Sequence, residues 1–577
     1  MTKPALSLTI AHINDTHSYF EPISLPLSIE IDGEHLTPYV SAGGFSRIKT
    51  KVEEMREEAI LRERNFLFLH AGDCFQGTLF FSLFKGSANA HMLNELGIEA
   101  MTVGNHELDV GNDLFAAFAE QANFPILAGN WDLSNEIESK DLRLSTNPRV
   151  HSYNPDRAIA SSIIKDIEGE KLAIFGLSLD RMADISNPDP DTPFVDSSHV
   201  AKNTVSYLNS LGINKIILLS HLGYEADKEL AAEVDGISLI IGGHSHVLQG
   251  DYSAIGLEKL DDYGVKINNT YIVQSGFYGQ AVGHCDIDFS DNGEVISFNG
   301  KNQLLLGRRL FIDADREEES QTKLYHKVCD LIDGHPLISV CRKDLNIQKI
   351  LRENYLPQVQ ALDEDKLAVL DQKLRHVRIA DEKGPSDVAP LVAKSFYLAT
   401  RRRGFPVQFG LHNAGGVRCS LQPGDITAAD IAGKLLPFAI PIGVYFITGS
   451  SLRSTLEGAI NNALSNGVEG TGTGSFPYCY GLEFEYVAQN AFNDRIRELK
   501  IWIDNAWVNI DDEKIYCGTS TAYTMKGKEG YDAIMNVVTP SQMTSVTMAD
   551  AFIESMKLDK GFLKNTFLRP KHVPVLK

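Results

Sequence analysis

The sequence lacks any paired arrangement of cysteines. Its 577 residues include seven cysteines, an odd number at scattered positions. A disulfide framework uses an even number of cysteines at short, regular spacings, so this pattern excludes a disulfide-stapled secreted scaffold and favours reduced thiols. We therefore predict a cytoplasmic protein. The cysteines are Cys74, Cys285, Cys329, Cys341, Cys419, Cys479 and Cys517.

The sequence also lacks an excess of positive charge. Lys and Arg number 54 against 76 Asp and Glu, which gives a formal net charge of −22 at pH 7. Such a chain repels a phosphate backbone, and no long basic stripe is present to overcome the repulsion. Composition therefore excludes a binder of polymeric nucleic acid but admits a small phosphate ester as a ligand, and it leaves the oligomeric state open.

No apolar run is long enough to cross a membrane. The longest, at 435–447, contains two prolines and favours a pair of buried strands. The first apolar run begins within about five residues of Met1, which leaves no room for a secretory signal. We expect a cytoplasmic chain with no membrane partner, or a periplasmic chain if Met1 replaces a removed signal.

The first 250 residues do contain four short clusters of histidine and carboxylate. Apolar, β-branched runs at 6–13, 66–69, 216–219 and 237–241 come shortly before Asp15, Asp73, His221 and His244. Short runs of this kind predict buried strands, and loops at strand ends commonly carry chemistry. The clusters are Asp15-Thr16-His17, Gly72-Asp73, Gly104-Asn105-His106-Glu107 with Asp109, and His221 with His244-Ser245-His246.

Together the clusters predict a dinuclear metal site. Imidazoles, carboxylates and one amide suit Zn²⁺, Mn²⁺, Co²⁺ or Fe, whereas a structural zinc site is rich in cysteine. Two metals roughly 3.5–4 Å apart can hold both the attacking and the departing oxygen of a displacement at phosphorus. One carboxylate must then bridge the two ions, and Asp73 is the candidate.

Each cluster also has an alternative interpretation without metal. A single Asp-Xaa-His is common by chance, His221 alone could be a core histidine, and Gly104-Asn105 is strong turn chemistry. Asp109 could simply favour the dipole of a helix N-terminus. The occurrence of all four clusters in order, beside strand-like runs, favours the metal site over these alternatives.

In this order the motifs resemble those of the calcineurin-like metallophosphatases. Within them the sequence resembles the 5′-nucleotidase / UDP-sugar hydrolase / 2′,3′-cyclic nucleotide phosphodiesterase family. The resemblance implies two divalent metal ions per chain, of Zn, Mn, Co, Fe or Mg. It assigns Asp15, His17, Asp73 and His246 to the first metal, and Asp73, Asn105, His221 and His244 to the second. It makes His106 and Asp109 a catalytic dyad, and a water bridging the metals the nucleophile.

The resemblance continues into the C-terminal part of the chain. His412 to Arg418 matches a family motif whose arginine binds substrate, and Leu436-Pro437-Phe438 matches one side of a clamp around the nucleobase. The segment 516–531 matches the other side. The substrate-binding residues implied are Asn413, Gly415, Gly416, Arg418, Phe438, Tyr523 and Glu529, with the arginine pair Arg375 and Arg378 completing the phosphate pocket.

We accordingly predict an α/β protein (α and β in layers) of three parts. Residues 1–312 form a metallophosphatase domain, a four-layer αββα sandwich. Residues 313–375 form a helical linker, with amphipathic helices at 323–333 and 366–374. Residues 376–577 form a second α/β domain that binds substrate.

The predicted activity is metal-dependent hydrolysis of a phosphate ester, with nucleoside 5′-monophosphates as the leading substrates. One alternative is a cyclic-nucleotide phosphodiesterase or a pyrophosphatase for nucleotide sugars or dinucleotides, because the same metal site suits them. Lys528 and Ala439-Ile440 replace residues of the family's base pocket, so a phosphatase for a non-nucleotide metabolite is another. A sensor that binds a nucleotide without hydrolysing it is the alternative from outside the enzymes.

Overall fold

The structure, a computed structural model, describes residues 4–312, 323–464 and 472–564. The predicted start of the linker at 313 lies outside these residues. The strands are β1 Leu6–Ile13, β2 Ile23–Pro26, β3 Ile29–Ile31, β4 Glu34–Leu36, β5 Tyr39–Ala42, β6 Asn65–His70, β7 Ala100–Thr102, β8 Ile126–Ala128, β9 Val150–Asn154, β10 Ile159–Ala160, β11 Ile163–Ile167, β12 Glu170–Ser178, β13 Lys215–His221, β14 Leu239–Ile241, β15 Val265–Ile267, β16 Thr270–Val273, β17 Ala281–Phe289, β18 Val295–Phe311, β19 Ile338–Val340, β20 Lys366–Leu370, β21 Phe409–Asn413, β22 Gly424–Thr427, β23 Pro441–Thr448, β24 Pro477–Tyr480, β25 Leu482–Tyr486, β26 Ile496–Ile503, β27 Ala506–Asn509, β28 Ile515–Thr521 and β29 Val537–Thr547.

Helices alternate with these strands along much of the chain. The α-helices are α1 Phe45–Leu61, α2 Leu79–Phe84, α3 Ser87–Leu96, α4 Asn112–Gln121, α5 Met182–Ile185, α6 Ser197–Ser210, α7 Tyr224–Glu233, α8 Lys323–Gly334, α9 Leu345–Ile350, α10 Leu356–Glu364, α11 Ala389–Arg402, α12 Gly449–Ala463, α13 Ala522–Met525 and α14 Met548–Leu558. In the part of the chain that is described, no helix combines the length and the apolar character needed to span a membrane.

The chain forms two compact units. The N-terminal unit comprises Met1–Gln76 and Phe84–Leu356, and the C-terminal unit comprises Gly77–Leu83 and Pro357–Lys577. The short segment 77–83 therefore belongs to the core of the later half: Leu79, at its centre, is 8% exposed within the C-terminal hydrophobic core. The predicted division with ends at 312 and 375 stays a prediction.

The N-terminal unit contains two sheets packed face to face. The larger has the strand order β10-β9-β8-β7-β6-β1-β17-β18-β5-β2, with β19 beside β18, and the smaller has the order β11-β12-β13-β14-β16-β15. Leu8 and Leu69 of the larger sheet share one buried core with Ile174 and Ile217 of the smaller. Helix α1 packs on β1 and β6, and α6 packs on β12, so helices cover both outer faces. This arrangement confirms the predicted αββα sandwich.

Parallel strand pairs fix the edge at which the polar loops emerge. Strands β1, β6 and β7 are parallel neighbours in the larger sheet, and β13 and β14 are parallel neighbours in the smaller. Their carboxyl ends lead into the loops that carry the four predicted clusters. In α/β sheets, ligands bind outside the carboxyl ends of the strands, so the topology gathers these loops at one edge.

The C-terminal unit is built on a mixed sheet with the strand order β24-β21-β28-β23-β29. Helix α11 packs against β21 and β24, and α12 packs against β23, around a core that includes Phe396, Leu411 and Ile460. Smaller sheets of β25-β26-β27 and of β20-β22 complete it. The second α/β domain is thereby confirmed.

Two local predictions are wrong. Residues 366–374 do not form a helix: Lys366–Leu370 is β20, paired antiparallel with β22. The register shifts between Lys366 and Ala368, so Leu367 and Leu370 are both buried at a spacing that imitates a helix. The run 435–447 is not a strand pair, because a π-helical turn ending at Leu435 precedes the single strand β23. The predicted helix at 323–333 is confirmed by α8.

Candidate active site

A cluster of buried histidines and carboxylates lies where the parallel strands end. We call it the histidine–carboxylate cluster, and its side chains are those predicted to bind metal. Asp15 and Asp73 are 0% and 1% exposed, so their charges are held almost entirely out of water. The structure brings all the members to one edge: they are Asp15, His17, Asp73, Asn105, His221, His244 and His246.

Ligand atoms in this cluster fall into overlapping groups, each within 4.8 Å. One group is Asp15, His17 and His246, and another is Asp73, His221 and His244. A third joins Asp73 to His17 and His106. Asp73 is therefore common to two groups, and the second of these shares His17 with the Asp15 group, so Asp73 lies between the two sets of ligands.

Several imidazole nitrogens face one another or a carboxylate in a way that suits a cation. Nε2 of His221 is buried without a hydrogen-bond partner and lies 3.2 Å from Oδ2 of Asp73. Nε2 of His17 lies 3.2 Å from Nε2 of His246. The other nitrogen of His221 lies 2.7 Å from the carbonyl oxygen of Ala71 and donates to it, which turns the Nε2 lone pair toward Asp73. These residues therefore fit divalent metal ions.

The electrostatics of the cluster favour positive charge. Burial lowers the pKa of His221, but the charge of Asp73 outweighs it and raises that pKa to about 10. Burial alone would raise the pKa of Asp73, yet the surrounding imidazoles hold it well below its usual range. The charge of Asp73 that favours a proton on His221 also favours a metal cation beside it. Burial lowers the pKa of His17 and of His244 to about 4, so both are neutral imidazoles able to bind a metal.

The dyad lies beside the cluster, in a 3₁₀ turn at His106–Leu108. Nδ1 of His106 lies 2.6 Å from Oδ2 of Asp109 and donates to it. Gln76 and Ser186 also donate to the Asp109 carboxylate, at 3.1 Å each. Burial lowers the pKa of His106, but the charges of Asp109 and Asp73 raise it to about 9. The side chain of His106 is 28% exposed, so its ring is accessible to solvent.

The backbone of the cluster is unusual. Asp15, His17, Asp73, His244 and His246 all have positive φ, between 46° and 73°. A residue with a Cβ pays of order 1–3 kcal/mol to stay in a sparsely populated backbone region, and such residues concentrate at functional sites. Gly243 permits close packing: a Cβ there would lie 2.5 Å from the carbonyl oxygen of Ala71 and 2.9 Å from Nδ1 of His221.

Glu107 is a site residue that the sequence analysis quoted but gave no role. Its carboxylate accepts hydrogen bonds from the backbone N–H groups of Asp73, Cys74, Phe75 and Gly104, at 2.7–3.1 Å. It thereby ties the loop after β6 to the loop after β7. Its position in the motif Gly104-Asn105-His106-Glu107 was the feature of the sequence from which a role in the site could have been predicted. Ser186 had no signal, since it lies 77 residues from Asp109.

A second polar group lies in the C-terminal unit. Nδ2 of Asn413 lies 3.4 Å from Oε2 of Glu529. Burial raises the pKa of Glu529, while hydrogen bonds from Asn413 and Tyr523 and the charges of Arg378 and Arg418 oppose the rise. We call these five residues the C-terminal polar group. Phe438 adjoins it, because the guanidinium of Arg418 lies 5.4 Å from the centre of its ring.

Three other residues predicted to bind substrate have local structural roles. Nη1 of Arg375 forms an ion pair with Asp381 at 2.7 Å, and its Nη2 donates to the carbonyl oxygen of Gly384, so its guanidinium braces its own loop. A Cβ on Gly416 would collide with the buried ring of His412. A Cβ on Gly415 would lie 3.2 Å from Cα of Gly474. Close packing therefore accounts for both glycines.

The fold and the site together define a calcineurin-like phosphoesterase: the model of that family matches residues 8–248. A second model, for the 5′-nucleotidase C-terminal domain, matches residues 366–536. The chain belongs to the 5′-nucleotidase family, and it is a metal-dependent phosphoric ester hydrolase.

Named relatives span nearly the whole chain. A probable 5′-nucleotidase of Treponema pallidum is 30% identical over 96% of this chain and 92% of its own length. The NAD 5′-nucleotidase of Haemophilus influenzae is 30% identical over 97% of this chain and 91% of its own. The crystal structure of a 5′-nucleotidase precursor from Thermus thermophilus superposes with a TM-score of 0.69, at 26% identity and 96% coverage of both chains.

Proposed function

We propose that this protein hydrolyses nucleoside 5′-monophosphates to a nucleoside and phosphate. The observation that carries the proposal is the set of three ligand groups, linked to one another through His17 and Asp73, together with the His106–Asp109 pair. Such an arrangement suits displacement at phosphorus by an activated water. The residues to which we assign recognition of the nucleotide are a separate set, the C-terminal polar group.

We assign two divalent ions to the histidine–carboxylate cluster. Asp15, His17, Asp73 and His246 would hold one, and Asp73, Asn105, His221 and His244 the other. When bound, such ions lower the pKa of a water and neutralise the developing charge of the phosphoryl group. The nitrogen and oxygen donors admit Zn, Mn, Co, Fe or Mg. Cys74 is disfavoured as a thiolate ligand, because burial raises the pKa of its thiol well above the usual range.

His106 is assigned the role of the acid. Asp109 accepts from Nδ1, which orients the ring and directs Nε2 toward the substrate. The carboxylate of Asp109 raises the pKa of His106 and so favours the protonated imidazole, which can stabilise the transferring phosphoryl oxygens and pass a proton to the leaving oxygen. Gln76 and Ser186 hold Asp109 in the required position.

Substrate selection is assigned to the C-terminal polar group and its aromatic neighbours. Arg378 and Arg418 are exposed cations beside Glu529 and suit an anionic or polar substrate. Phe438 and Tyr523 are partly buried against the core and present rings on which a base can stack. Stacking accepts every base, so we expect broad base preference.

A dinucleotide pyrophosphatase is the second candidate. The observation that favours it is the near full-length similarity to the NAD 5′-nucleotidase of Haemophilus influenzae. A cluster that activates water for attack on a monoester also suits attack on a phosphoanhydride. The two candidates differ in substrate and share the same metal ligands and dyad.

The deciding experiment is phosphate release from the metal-stripped protein after addition of Mn²⁺, Zn²⁺, Co²⁺ or Mg²⁺. The panel contains nucleoside monophosphates with several bases, cyclic nucleotides, NAD, nucleotide sugars and sugar phosphates, with a coupled phosphomonoesterase for diester products. We expect metal-dependent release from the monophosphates. Release only from sugar phosphates would reject the nucleotide assignment, and no release with any metal would reject both candidates.

The dyad assignment has its own test. We expect His106→Ala to lower turnover by about 10²–10⁴-fold, the usual loss for a positioned acid or base, while metal content stays near the wild-type value. His326→Ala, at an exposed histidine, serves as the matched control. Undiminished turnover in His106→Ala would remove the dyad from the mechanism.

The seven cysteines are free thiols in the structure. The cytoplasmic location, and the periplasmic alternative, stay predictions.

A further inference from the structure

A cavity in the N-terminal unit has a lining rich in cations. Its volume is about 450 Å³, within the range of small-molecule sites. The lining is formed by β5, α1, the end of β18 and the segment from β19 to α9. It contains no carboxylate and includes Arg47, Arg308, Arg309, Arg342 and Lys343. In a chain with a net charge of −22, this concentration of positive charge is local and specific.

Arg47 is the buried member of this set. It is 4% exposed, yet it has no carboxylate partner in the part of the chain that is described. Its Nη1 donates to the carbonyl oxygen of Gly43 at 2.8 Å and its Nη2 to Ser41 at 3.0 Å, while Nε has no partner. Burying an arginine without a counter-charge is costly, so the guanidinium of Arg47 in the cavity lining favours an anion beside it.

The backbone is shaped to present the other arginines. Between Leu306 and Leu310, four steps along β18 oppose only two along β5, from Ala42 to Val40, so β18 bulges. The bulge carries Arg308 and Arg309, both of which are exposed. Gly307, within it, has no side chain because a Cβ there would collide with Nη2 of Arg47. Bulges commonly re-aim side chains at functional sites.

The cations are close enough to repel one another. Burial lowers the pKa of Lys343, and the charge of Arg47 lowers it further, while Glu21, outside the lining, opposes the change. Glu54 also acts on the lining, because its charge raises the pKa of Cys341. Among the described residues, however, none of the five lining cations forms an ion pair. A bound anion would relieve this repulsion and accept several charge-assisted hydrogen bonds at once.

The cavity is distinct from the histidine–carboxylate cluster. The two share no residue, and β18 is separated from β1 by β17. Strand spacings of about 4.8 Å place β18 and β5 two to three strands, or roughly 10–15 Å, from β1. We propose that this cavity binds a small anion of the polyphosphate class, with several negative charges, as a site separate from the catalytic one.

The test is calorimetric titration of the full-length protein with inorganic tripolyphosphate, without added metal. The wild type and the double variant Arg308→Ala/Arg342→Ala are compared. Both positions are exposed, so folding should be retained. We expect the double variant to weaken binding by about tenfold or more, because each arginine supplies a hydrogen bond to a charged group. Its hydrolysis of the proposed substrate, measured without polyanion, should match that of the wild type.

Two further variants serve as controls. Arg149→Ala/Arg497→Ala removes the same charge from exposed arginines outside the lining and should leave tripolyphosphate binding unchanged. Asp73→Asn alters the histidine–carboxylate cluster and should also leave this binding intact. Comparing a nucleoside triphosphate with tripolyphosphate in the Asp73→Asn background then identifies the source of the phosphates: tighter binding of the nucleotide indicates a nucleoside contact, and equal binding indicates inorganic polyphosphate.

Three outcomes would overturn the proposal. They are the absence of measurable binding to the wild type, equal affinity in the wild type and the Arg308→Ala/Arg342→Ala variant, and loss of binding in Asp73→Asn alone. The last would place the anion at the catalytic cluster. Because the readout is binding, failure here would leave the proposed hydrolysis standing, and failure of hydrolysis would not affect this result.

Discussion

The histidine–carboxylate cluster and the C-terminal polar group differ in how far their charged side chains are buried. The first buries its carboxylates, fixes its imidazoles through backbone carbonyls and holds five residues in left-handed conformations. The second keeps Arg378 and Arg418 exposed around one partly buried carboxylate. Burial makes the histidine–carboxylate cluster rigid, and its buried negative charges favour a bound cation. Exposure makes the C-terminal polar group tolerant of different substrates, because water screens its charges and its side chains are not held in one conformation.

Asp73→Asn should produce the largest effect, because Asp73 belongs to two of the three ligand groups and is assigned to both ions. We expect metal content to fall and turnover to drop by about 10³-fold or more, since bound metals contribute several kcal/mol to the transition state. Elemental analysis and phosphate release measure the two quantities. Asp156→Asn, at an exposed position, is the control. Turnover within tenfold of the wild type would show that Asp73 does not bridge.

Glu107→Gln sharpens the comparison, because it alters a residue that holds the ligand-bearing loops in place and leaves the ligands themselves unchanged. The neutral amide offers one acceptor oxygen to N–H groups that the carboxylate now serves with two, so some of them lose their partner. We expect metal affinity to fall by about 10–100-fold, as for other residues behind the ligands. A metal titration followed by activity measures it, with Glu57→Gln as the exposed control. An unchanged affinity would make Glu107 purely a folding residue.

Phe438→Ala tests the aromatic side chain that adjoins the C-terminal polar group. Loss of one stacking ring should raise KM for nucleoside monophosphates by about tenfold, in line with the energy of stacking on a single aromatic residue. The kinetics of a phosphate ester without a base should stay the same. Phe492→Ala removes an exposed ring from the same unit and should change neither substrate. Equal losses for both esters would mean that Phe438 acts through the core.

The smallest expected effect concerns buried histidines. Burial lowers the pKa of His412 to about 3, and among the described residues neither of its ring nitrogens has a hydrogen-bond partner. In the N-terminal unit, by contrast, Nε2 of the buried His12 lies 2.7 Å from the hydroxyl oxygen of Tyr263. Between about pH 3 and 6.5 the unfolded chain binds a proton at His412 that the folded chain does not, so stability falls as pH falls through this window.

His412→Leu should flatten that dependence by up to about 1.4 kcal/mol per pH unit. Urea unfolding at pH 5 and pH 7 measures the slope. His326→Leu, at an exposed histidine, should leave the slope unchanged. An unaltered slope in His412→Leu would show that another group dominates the acid limb.

The sequence predicted more of the N-terminal unit than of the C-terminal unit for a physical reason. Asp15, Asp73 and His244 lie two or three residues beyond the ends of buried strands, so strand direction gathers them. The role of Arg375 depended on the loop closing from Asp381 to Gly384, and that closure leaves no pattern in the sequence. The strand at 366–370 was missed because a register shift buries residues at helical spacing. Left-handed φ at non-glycine ligands likewise has no compositional signal.

The segment 77–83 has a consequence for anyone who divides this protein into fragments. It lies early in the chain yet contributes Leu79 to the C-terminal core, and Ser82 donates to the carbonyl oxygen of Pro437 at 3.4 Å. A single cleavage after Leu356 therefore cannot release two intact domains. The downstream fragment would lack a piece of its interior, and the upstream fragment would carry an apolar stub. Independent expression of the later half requires that peptide to be supplied in trans or grafted by circular permutation.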